Sequence, residues 1–286
     1  MSSEIVRFVE RQDWLEPVEE TVQQAVETAV ESAGPAVANA LYGTWLGHPL
    51  HPVLTDIPLG AWTAAVVLDA LDSRDGGDGL KRGADAAVAL GLMGAVGSAI
   101  TGFTDWHKIT GKPHRIGLVH GLLNTIGAGL FAASYICRRR RDRESGRRLA
   151  ILGYAAAGMA AHLGGHLVYR EKIGVDHAPK EFPKDFTPVL DASELSEGEL
   201  KRADADGVPV VLLKRGDQIF ALAETCSHLG GPLAEGQVED GDCVRCPWHG
   251  SLFSMQDGSV REGPATHPQP CLEARINEGK VEVRGG

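Results

Sequence analysis

The sequence predicts two unlike domains in series, an all-α four-helix transmembrane bundle followed by an all-β domain. Three observations carry this. The runs 86–104, 116–137 and 149–169 contain no Asp, Glu, Lys or Arg. A fourth apolar run, 53–71, is interrupted only by Asp56 and Asp69 near its ends. Beyond residue 186 the pattern changes to short β-rich segments, 208–213, 218–222 and 280–284, separated by Gly-Asp, Asp-Gly and Glu-Gly turns.

Residues 1–44 form an acidic arm. Within it, 4–33 read as an amphipathic helix, with Val18, Val22, Val26, Ala29 and Ala33 at spacings of three to four. Pro17 marks an early helical position or a break between two helices. Anionic headgroups repel an acidic face, so the arm is expected to pack on protein rather than lipid. The bundle follows over 45–170. Each apolar run is about 20 residues, enough for a helix to cross a hydrocarbon core of about 30 Å. Gly and Ala are abundant, and small residues let membrane helices approach closely. The alternative is a soluble bundle with small core residues. Its helices would carry a polar stripe, which the last three runs lack.

The loops are short. Loop 105–115 carries Trp106 and two histidines, His107 and His114, the histidines expected to be solvated, and loop 138–148 holds seven arginines. The positive-inside rule makes 138–148 cytoplasmic, together with 72–85. The arm, loop 105–115 and the C-terminal domain then fall on the extracytoplasmic side. Arg147-Arg148 directly before the last run resembles a twin-arginine export signal, which allows a folded domain to cross. The other reading is that these arginines only anchor the loop. Met1-Ser2-Ser3-Glu4 has no basic region followed by an apolar one, so no cleavable signal peptide is expected.

Net charge is −10, with Lys/Arg against Asp/Glu at two to eight over 1–50, 14 to nine over 51–170 and 12 to 21 over 171–286. An acidic head and tail around a basic middle argue against nucleic acid as a partner. The five cysteines, Cys137, Cys226, Cys243, Cys246 and Cys271, are odd in number and scattered, which is no disulfide framework. Cys243 and Cys271 are left open, to pair or stay free.

After a polar linker at 171–185, the C-terminal domain (186–286) carries Cys226-Ser227-His228 and Cys246-Pro247-Trp248-His249. Each loop offers one thiolate and one imidazole. Two Cys on one iron and two His on the other is the ligand set of a Rieske [2Fe-2S] centre. A zinc site is the competitor, but zinc modules usually pair Cys with Cys and His with His. Gly230-Gly231-Pro232 and Gly250-Ser251 follow the two loops, where glycine lets amides approach sulfur. Residues 186–286 resemble the Rieske ferredoxin family, and the likeness extends through Phe253, Gly258 and Glu262-Gly263-Pro264-Ala265. The resemblance implies a one-electron carrier. Respiratory-type members have a cysteine in each loop where this chain has Gly231 and Trp248, so their disulfide is absent. Ser251 matches their sulfide-bonding serine, and Phe253 replaces a tyrosine. These departures imply a potential in the lower part of the Rieske range of about −150 to +300 mV.

Seven histidines, His48, His51, His107, His114, His120, His162 and His166, fall toward one end of the bundle. His48 and His51 precede the first run. Polar groups at membrane depth are costly and usually functional. A pair of imidazoles from facing helices is what a six-coordinate haem b requires. Three imidazoles, or two with a carboxylate, suit another metal, and a hydrogen-bonding or proton-handling role is the third reading. For haem, His120 with His162 or His166 come first and His51 next. Asp56 and Asp105 are candidate partners for the imidazoles. His48-Pro49-Leu50-His51-Pro52, Asp56-Ile57-Pro58-Leu59-Gly60, Gly102-Phe103-Thr104-Asp105-Trp106, His120-Gly121-Leu122-Leu123-Asn124 and Leu167-Val168-Tyr169-Arg170 resemble an uncharacterised group of four-span bacterial membrane proteins over about 45–175. The expectation is a membrane-bound electron-transfer protein that exchanges electrons with a haem or quinone site in its own bundle. The alternative is an anchored ferredoxin serving a separate soluble redox partner. An oxygenase is disfavoured, since no large domain remains for a mononuclear iron site.

Overall fold

A computed structural model describes residues 2–75, 78–239 and 241–286. The chain forms two compact units, one of 1–34 with 50–173, the other of 35–49 with 174–286.

The first unit is all-helical. Helices α1 (Ser2–Glu10) and α2 (Glu16–Ala33) form the arm. The four long helices are α4 (Leu50–Asp75), α5 (Asp78–Trp106), α6 (Lys112–Arg139) and α7 (Arg143–Tyr169). Each is long and apolar enough to cross a membrane. They start earlier than the apolar runs, and all but α7 end later, because polar residues continue the helices. One consequence is that His51 sits inside α4, not before it. Large apolar side chains point outward, among them Met93, Val96, Ile126, Ile151 and Met159, all more than half exposed. A water-soluble bundle would bury such a surface, and lipid accepts it.

The bundle interior is built on small residues and one aromatic pair. Trp62 stacks on Phe131 with ring centroids 4.2 Å apart, among Ala65, Val88, Ala150 and Ala157. A Cβ at Gly153 would come within 2.9 Å of Phe131 and 3.0 Å of the Gly127 carbonyl. Glycine there sets how closely α6 and α7 approach. At the end of the bundle opposite the histidines, charges are buried in a network. Arg138 binds Asp69 and Asp85, and Arg143 reaches Asp69, Asp72 and Asp85. Arg147 binds Asp72 and lies 3.5 Å from Asp69.

The arm packs on the bundle. Val6 and Val9 of α1 are buried with Ile116, Leu163 and Leu167, while Leu15 joins Trp106, Ile109 and Leu118. Pro17 lies in the first turn of α2, where its missing N–H costs nothing. Arg115 Nε donates to Glu19 at 2.8 Å, Lys108 pairs with Glu27, and Gln23 donates to the His107 carbonyl. This docking corrects one expectation. His107 and His114 are buried, not solvated. His114 stacks on Trp106 at 4.1 Å and faces Glu19 at 3.7 Å. The acidic helix supplies the cover that the loop sequence does not reveal.

The described residues of the second unit are all-β apart from one short α-helix, α3 (Pro35–Tyr42), and three single 3-10 turns. Its strands are β1 (Thr187–Asp191), β2 (Leu200–Ala205), β3 (Val208–Arg215), β4 (Gln218–Ala223), β5 (Gln237–Glu239), β6 (Cys243–Arg245), β7 (Leu252–Ser254), β8 (Val260–Glu262), β9 (Cys271–Asn277) and β10 (Lys280–Gly285). They form an antiparallel six-stranded sheet, β1-β10-β9-β4-β3-β2, and a four-stranded meander, β5-β6-β7-β8. Strand β3 shows why the first sheet is central. Its run Val210-Val211-Leu212-Leu213 is buried on both faces, Val211 and Leu213 toward one core, Val210 and Leu212 toward another. The first core also takes Cys226, Cys246, Leu233, Val244, Phe253 and Met255. Helix α3 is clipped to this unit. Asn39 accepts from the Gly263 N–H at 2.9 Å and donates to the Arg261 carbonyl at 2.9 Å, and Gly263 lies against the Tyr42 ring. Cys137, Cys226, Cys243, Cys246 and Cys271 are all unpaired.

Candidate iron–sulfur centre and the membrane histidines

The loops after β4 and between β6 and β7 are built alike. The Cys226 N–H donates to the Gly231 carbonyl at 2.9 Å, and the Gly230 N–H returns to the Cys226 carbonyl at 2.9 Å. The Cys246 N–H donates to the Ser251 carbonyl at 2.8 Å, and the Gly250 N–H returns to the Cys246 carbonyl at 3.1 Å. Gly230 and Gly250 close their loops at φ +79° and +78°, a left-handed conformation that glycine adopts without strain. Each cysteine sulfur accepts two amides of its own loop, from His228 and Leu229 for Cys226, and from Trp248 and His249 for Cys246. The duplicated loop is therefore a sulfur cradle.

The loops meet across the core. The Cys226 thiol donates to the Cys246 sulfur, a contact that raises Cys226 and, with the loop amides, brings Cys246 down to about 7. The His228 and His249 rings sit edge to face with centroids 5.0 Å apart. Burial and the neighbouring His249 and His177 lower His228 to about 3, which holds it neutral with a lone pair to give. Its Nδ1 is buried and has no hydrogen-bond partner. An orphaned buried acceptor is costly unless something occupies it. Among the described residues no three His, Cys, Asp or Glu converge as a single metal ion would need. Two sulfurs and two imidazoles match, in kind and number, the four donors that a two-iron Rieske cluster takes.

The model of the Rieske [2Fe-2S] domain matches residues 185–273. The chain is 36% identical over 98 residues to the ferredoxin CarAc of Metapseudomonas resinovorans, covering 34% of this chain and 91% of that one. The chain belongs to the Rieske [2Fe-2S] family. This Rieske protein also carries a predicted membrane protein domain (DUF2231) over residues 47–177. It is 36% identical to the anthranilate 1,2-dioxygenase ferredoxin subunit of Burkholderia cepacia, over 36% of this chain and 94% of the subunit. Human apoptosis-inducing factor 3 is 30% identical over 42% of this chain, which spans only 20% of that protein. Among solved structures, the complex of reduced oxygenase and oxidised ferredoxin in carbazole 1,9a-dioxygenase matches at 35% identity and TM-score 0.33, over 35% of this chain and 93% of that one. The Rieske protein is thus an electron-transfer protein with a [2Fe-2S] domain and a membrane domain.

The site residues fit the cluster by the paired sulfurs, the amides aimed at them and the orphaned His228 Nδ1. Gly231 and Trp248, the positions that the resemblance matches with the respiratory cysteines, pack together. A Cβ at Gly231 would lie 2.9 Å from the Cys246 sulfur and 3.1 Å from the Trp248 ring. Trp248 itself is 58% exposed. Ser251 is buried and accepts the Ala265 N–H at 2.9 Å, which leaves its own hydrogen to donate. Phe253 is fully buried and has no donor.

Two supporting residues escaped the sequence reading. Gln269 is 2% exposed, donates to the Ala223 and Thr225 carbonyls at 2.7 and 2.6 Å, and accepts the Ser227 N–H at 2.9 Å. It fixes the first loop from a segment over 40 residues away. Arg245 donates to the Gly250 carbonyl at 2.7 Å and to Glu239 and Glu262, bracing the second loop. The one cue was a glutamine between two prolines. Gln269→Ala is expected to lower stability by about 1–3 kcal/mol, since it strands a buried Ser227 N–H and two carbonyls. Thermal unfolding of the holoprotein measures this, and an unchanged Tm would refute the role.

The membrane histidines separate. His51 and His120 come together with ring centroids 6.3 Å apart and planes at 83°. His166 instead pairs with Glu171 at 3.1 Å, and His162 is exposed on α7. His48 is exposed and belongs to the second unit. Backbone carbonyls of Ser98 and Ala160, not Asp56 or Asp105, hold the Nδ1 atoms of His51 and His120.

Proposed function

We propose that Cys226 and Cys246 hold one iron of the cluster and His228 and His249 the other. The matched sulfur cradles carry this reading. When bound, the cluster supplies one-electron chemistry. The chain's own residues do the rest. The loop amides and Ser251 donate toward sulfur, which favours the more negative, reduced state. Half-buried His228 and His249 sit beside exposed Pro247 and Trp248, which makes that edge the exit for an electron. In the proposed division of labour, 1–44 is the arm, 45–170 the bundle, 171–185 the linker and 186–286 the Rieske domain, with 35–49 packed in the second compact unit.

In the reading we favour, the electron passes between the cluster and a haem or quinone site in the membrane domain. The paired His51 and His120 support it. The second reading, an anchored ferredoxin serving a separate oxygenase-like partner, is supported by the dioxygenase ferredoxins that this chain resembles. Stopped-flow oxidation of the prereduced full-length protein in proteoliposomes tests the two. Bleaching of the cluster by a lipid-soluble quinone, or transfer to a bundle chromophore, supports the relay. A cluster that stays reduced until a soluble acceptor is added supports the anchor.

We place the Rieske domain on the extracytoplasmic side, as the arginine loop 138–148 directs. Arg147 is engaged with Asp72 and Asp69, which favours an anchoring role for it over an export signal. A periplasm-dependent reporter fused after Gly286 is expected to be active, and a reporter active only in the cytoplasm would reverse the placement.

A further inference from the structure

Within the bundle, helices α4 and α6 bring His51 and His120 into ring contact at 6.3 Å between centroids. Both rings are oriented the same way chemically. His51 Nδ1 lies 2.9 Å from the Ser98 carbonyl of α5, and His120 Nδ1 lies 2.8 Å from the Ala160 carbonyl of α7. A carbonyl only accepts, so each Nδ1 carries the proton and each neutral ring keeps its lone pair on Nε2. Asn124 Nδ2 approaches His120 Nε2 at 3.1 Å, and an amide NH2 group donates to a lone pair. Imidazoles that ligate a metal through one nitrogen commonly give the other N–H to a backbone carbonyl, which fixes tautomer and orientation. Here that support is present for both rings, each from a different neighbouring helix.

The backbone has been cleared to seat them. A Cβ at Gly102 would lie 2.7 Å from His51, and one at Gly164 would lie 3.0 Å from His120. Each ring occupies the volume of a missing side chain. Two trans metal–nitrogen bonds of about 2 Å, with the ring radii added, separate imidazole centroids by about 6 Å. The 6.3 Å between centroids leaves room for that span, with the ring planes near perpendicular at 83°.

We propose that His51 and His120 are the two protein ligands of one transition-metal centre in the membrane domain. Among the described residues no third His, Cys, Asp or Glu joins them. The metal therefore either brings its other ligands, as haem iron brings four porphyrin nitrogens, or accepts two, as monovalent copper does. His162 and His166 are outside the site. Gly102 and Gly164 are positioning residues, and a metal at His120 Nε2 takes the lone pair that Asn124 Nδ2 approaches at 3.1 Å. This assignment deepens the relay reading and rests on it for its role, while its test does not.

The test uses the full-length protein purified in detergent. Its absorption spectrum and its content of haem, iron, copper and zinc are measured beside the Rieske EPR signal. Wild type is expected to show either a haem absorption band or about one metal equivalent beyond the two cluster irons. His51→Ala and His120→Ala should each lower that content by at least about tenfold, with His162→Ala unchanged and the Rieske signal retained in all. Should an alanine variant fail to insert, Gly102→Ala and Gly164→Ala, which displace the rings, are read in its place with the same expectation. A wild-type protein with no metal beyond the cluster, or one whose metal survives the His51 and His120 changes, overturns the proposal. In either case an intact Rieske signal leaves the cluster assignment standing.

Discussion

Cys246→Ser is expected to abolish the Rieske EPR and visible signals altogether while the bundle stays inserted in the membrane. Cys246 is 3% exposed, and its sulfur lies in a core with Leu213, Val244 and Phe253. Two loop amides aim at that sulfur, and the Cys226 thiol leans on it. A serine oxygen is a smaller, harder donor, poorly matched to iron in a sulfur-built cradle. The loss reaches beyond the spectrum. Cluster binding is also folding energy for the domain that binds it. The variant should therefore unfold its second unit at lower temperature than wild type, whereas helical content is preserved. A variant that retains the full EPR signal would remove Cys246 from the ligand set.

Arg138→Met is expected to produce the largest loss of stability in the bundle, about 3–5 kcal/mol. The Arg138 side chain is fully buried. It holds Asp69 and Asp85 and donates to Ser134 Oγ at 3.0 Å. Taking it away leaves Asp69, itself buried, with only Arg143 at 3.4 Å and Arg147 at 3.5 Å. The cost comes from the stranded carboxylate more than from the lost attraction. Adding Asp69→Asn to Arg138→Met should therefore restore part of the loss, a coupling that a double-mutant cycle in detergent would measure. Additive effects would mean that the two residues do not act together.

What the sequence disclosed and what it withheld have different physical origins. Three uncharged runs and a fourth broken only near its ends by Asp56 and Asp69 located the four long helices, because the cost of charge in hydrocarbon is written residue by residue. It did not locate their ends. Arg138, Arg143 and Arg147 extend helices through pairing with Asp69, Asp72 and Asp85, and such pairing is a tertiary event. The cluster loops were legible from Cys-x-His and Cys-x-x-His with glycine behind them, since spacing within a loop is local. Gln269 and Asn39 were not, because each acts on residues more than 40 or 200 positions away. Of the ten strands, three were read from composition. Strands as short as Leu252–Ser254 carry no periodicity to find. The sequence ranks His51 behind His162 and His166 because the apolar run begins only at Val53. Helix α4 begins at Leu50, and that shift of a few residues brings His51 to His120.

The buried arginine network also has a history within the life of the chain. Asp69, Asp72 and Asp85 precede Arg138, Arg143 and Arg147 in synthesis, and the ion pairs need α4, α5, α6 and α7 side by side. In the proposed orientation, Arg138, Arg143 and Arg147 lack these aspartate partners while the helices are still entering the bilayer, and their charges resist translocation. Once the bundle closes, these three of the seven pair with aspartates, Arg138 fully buried and Arg143 and Arg147 half-buried, and become its clasp. Substitutions at these positions would act at two moments, on the choice of orientation and then on the lifetime of the assembled bundle. An aspartate partner such as Asp69 would act only at the second.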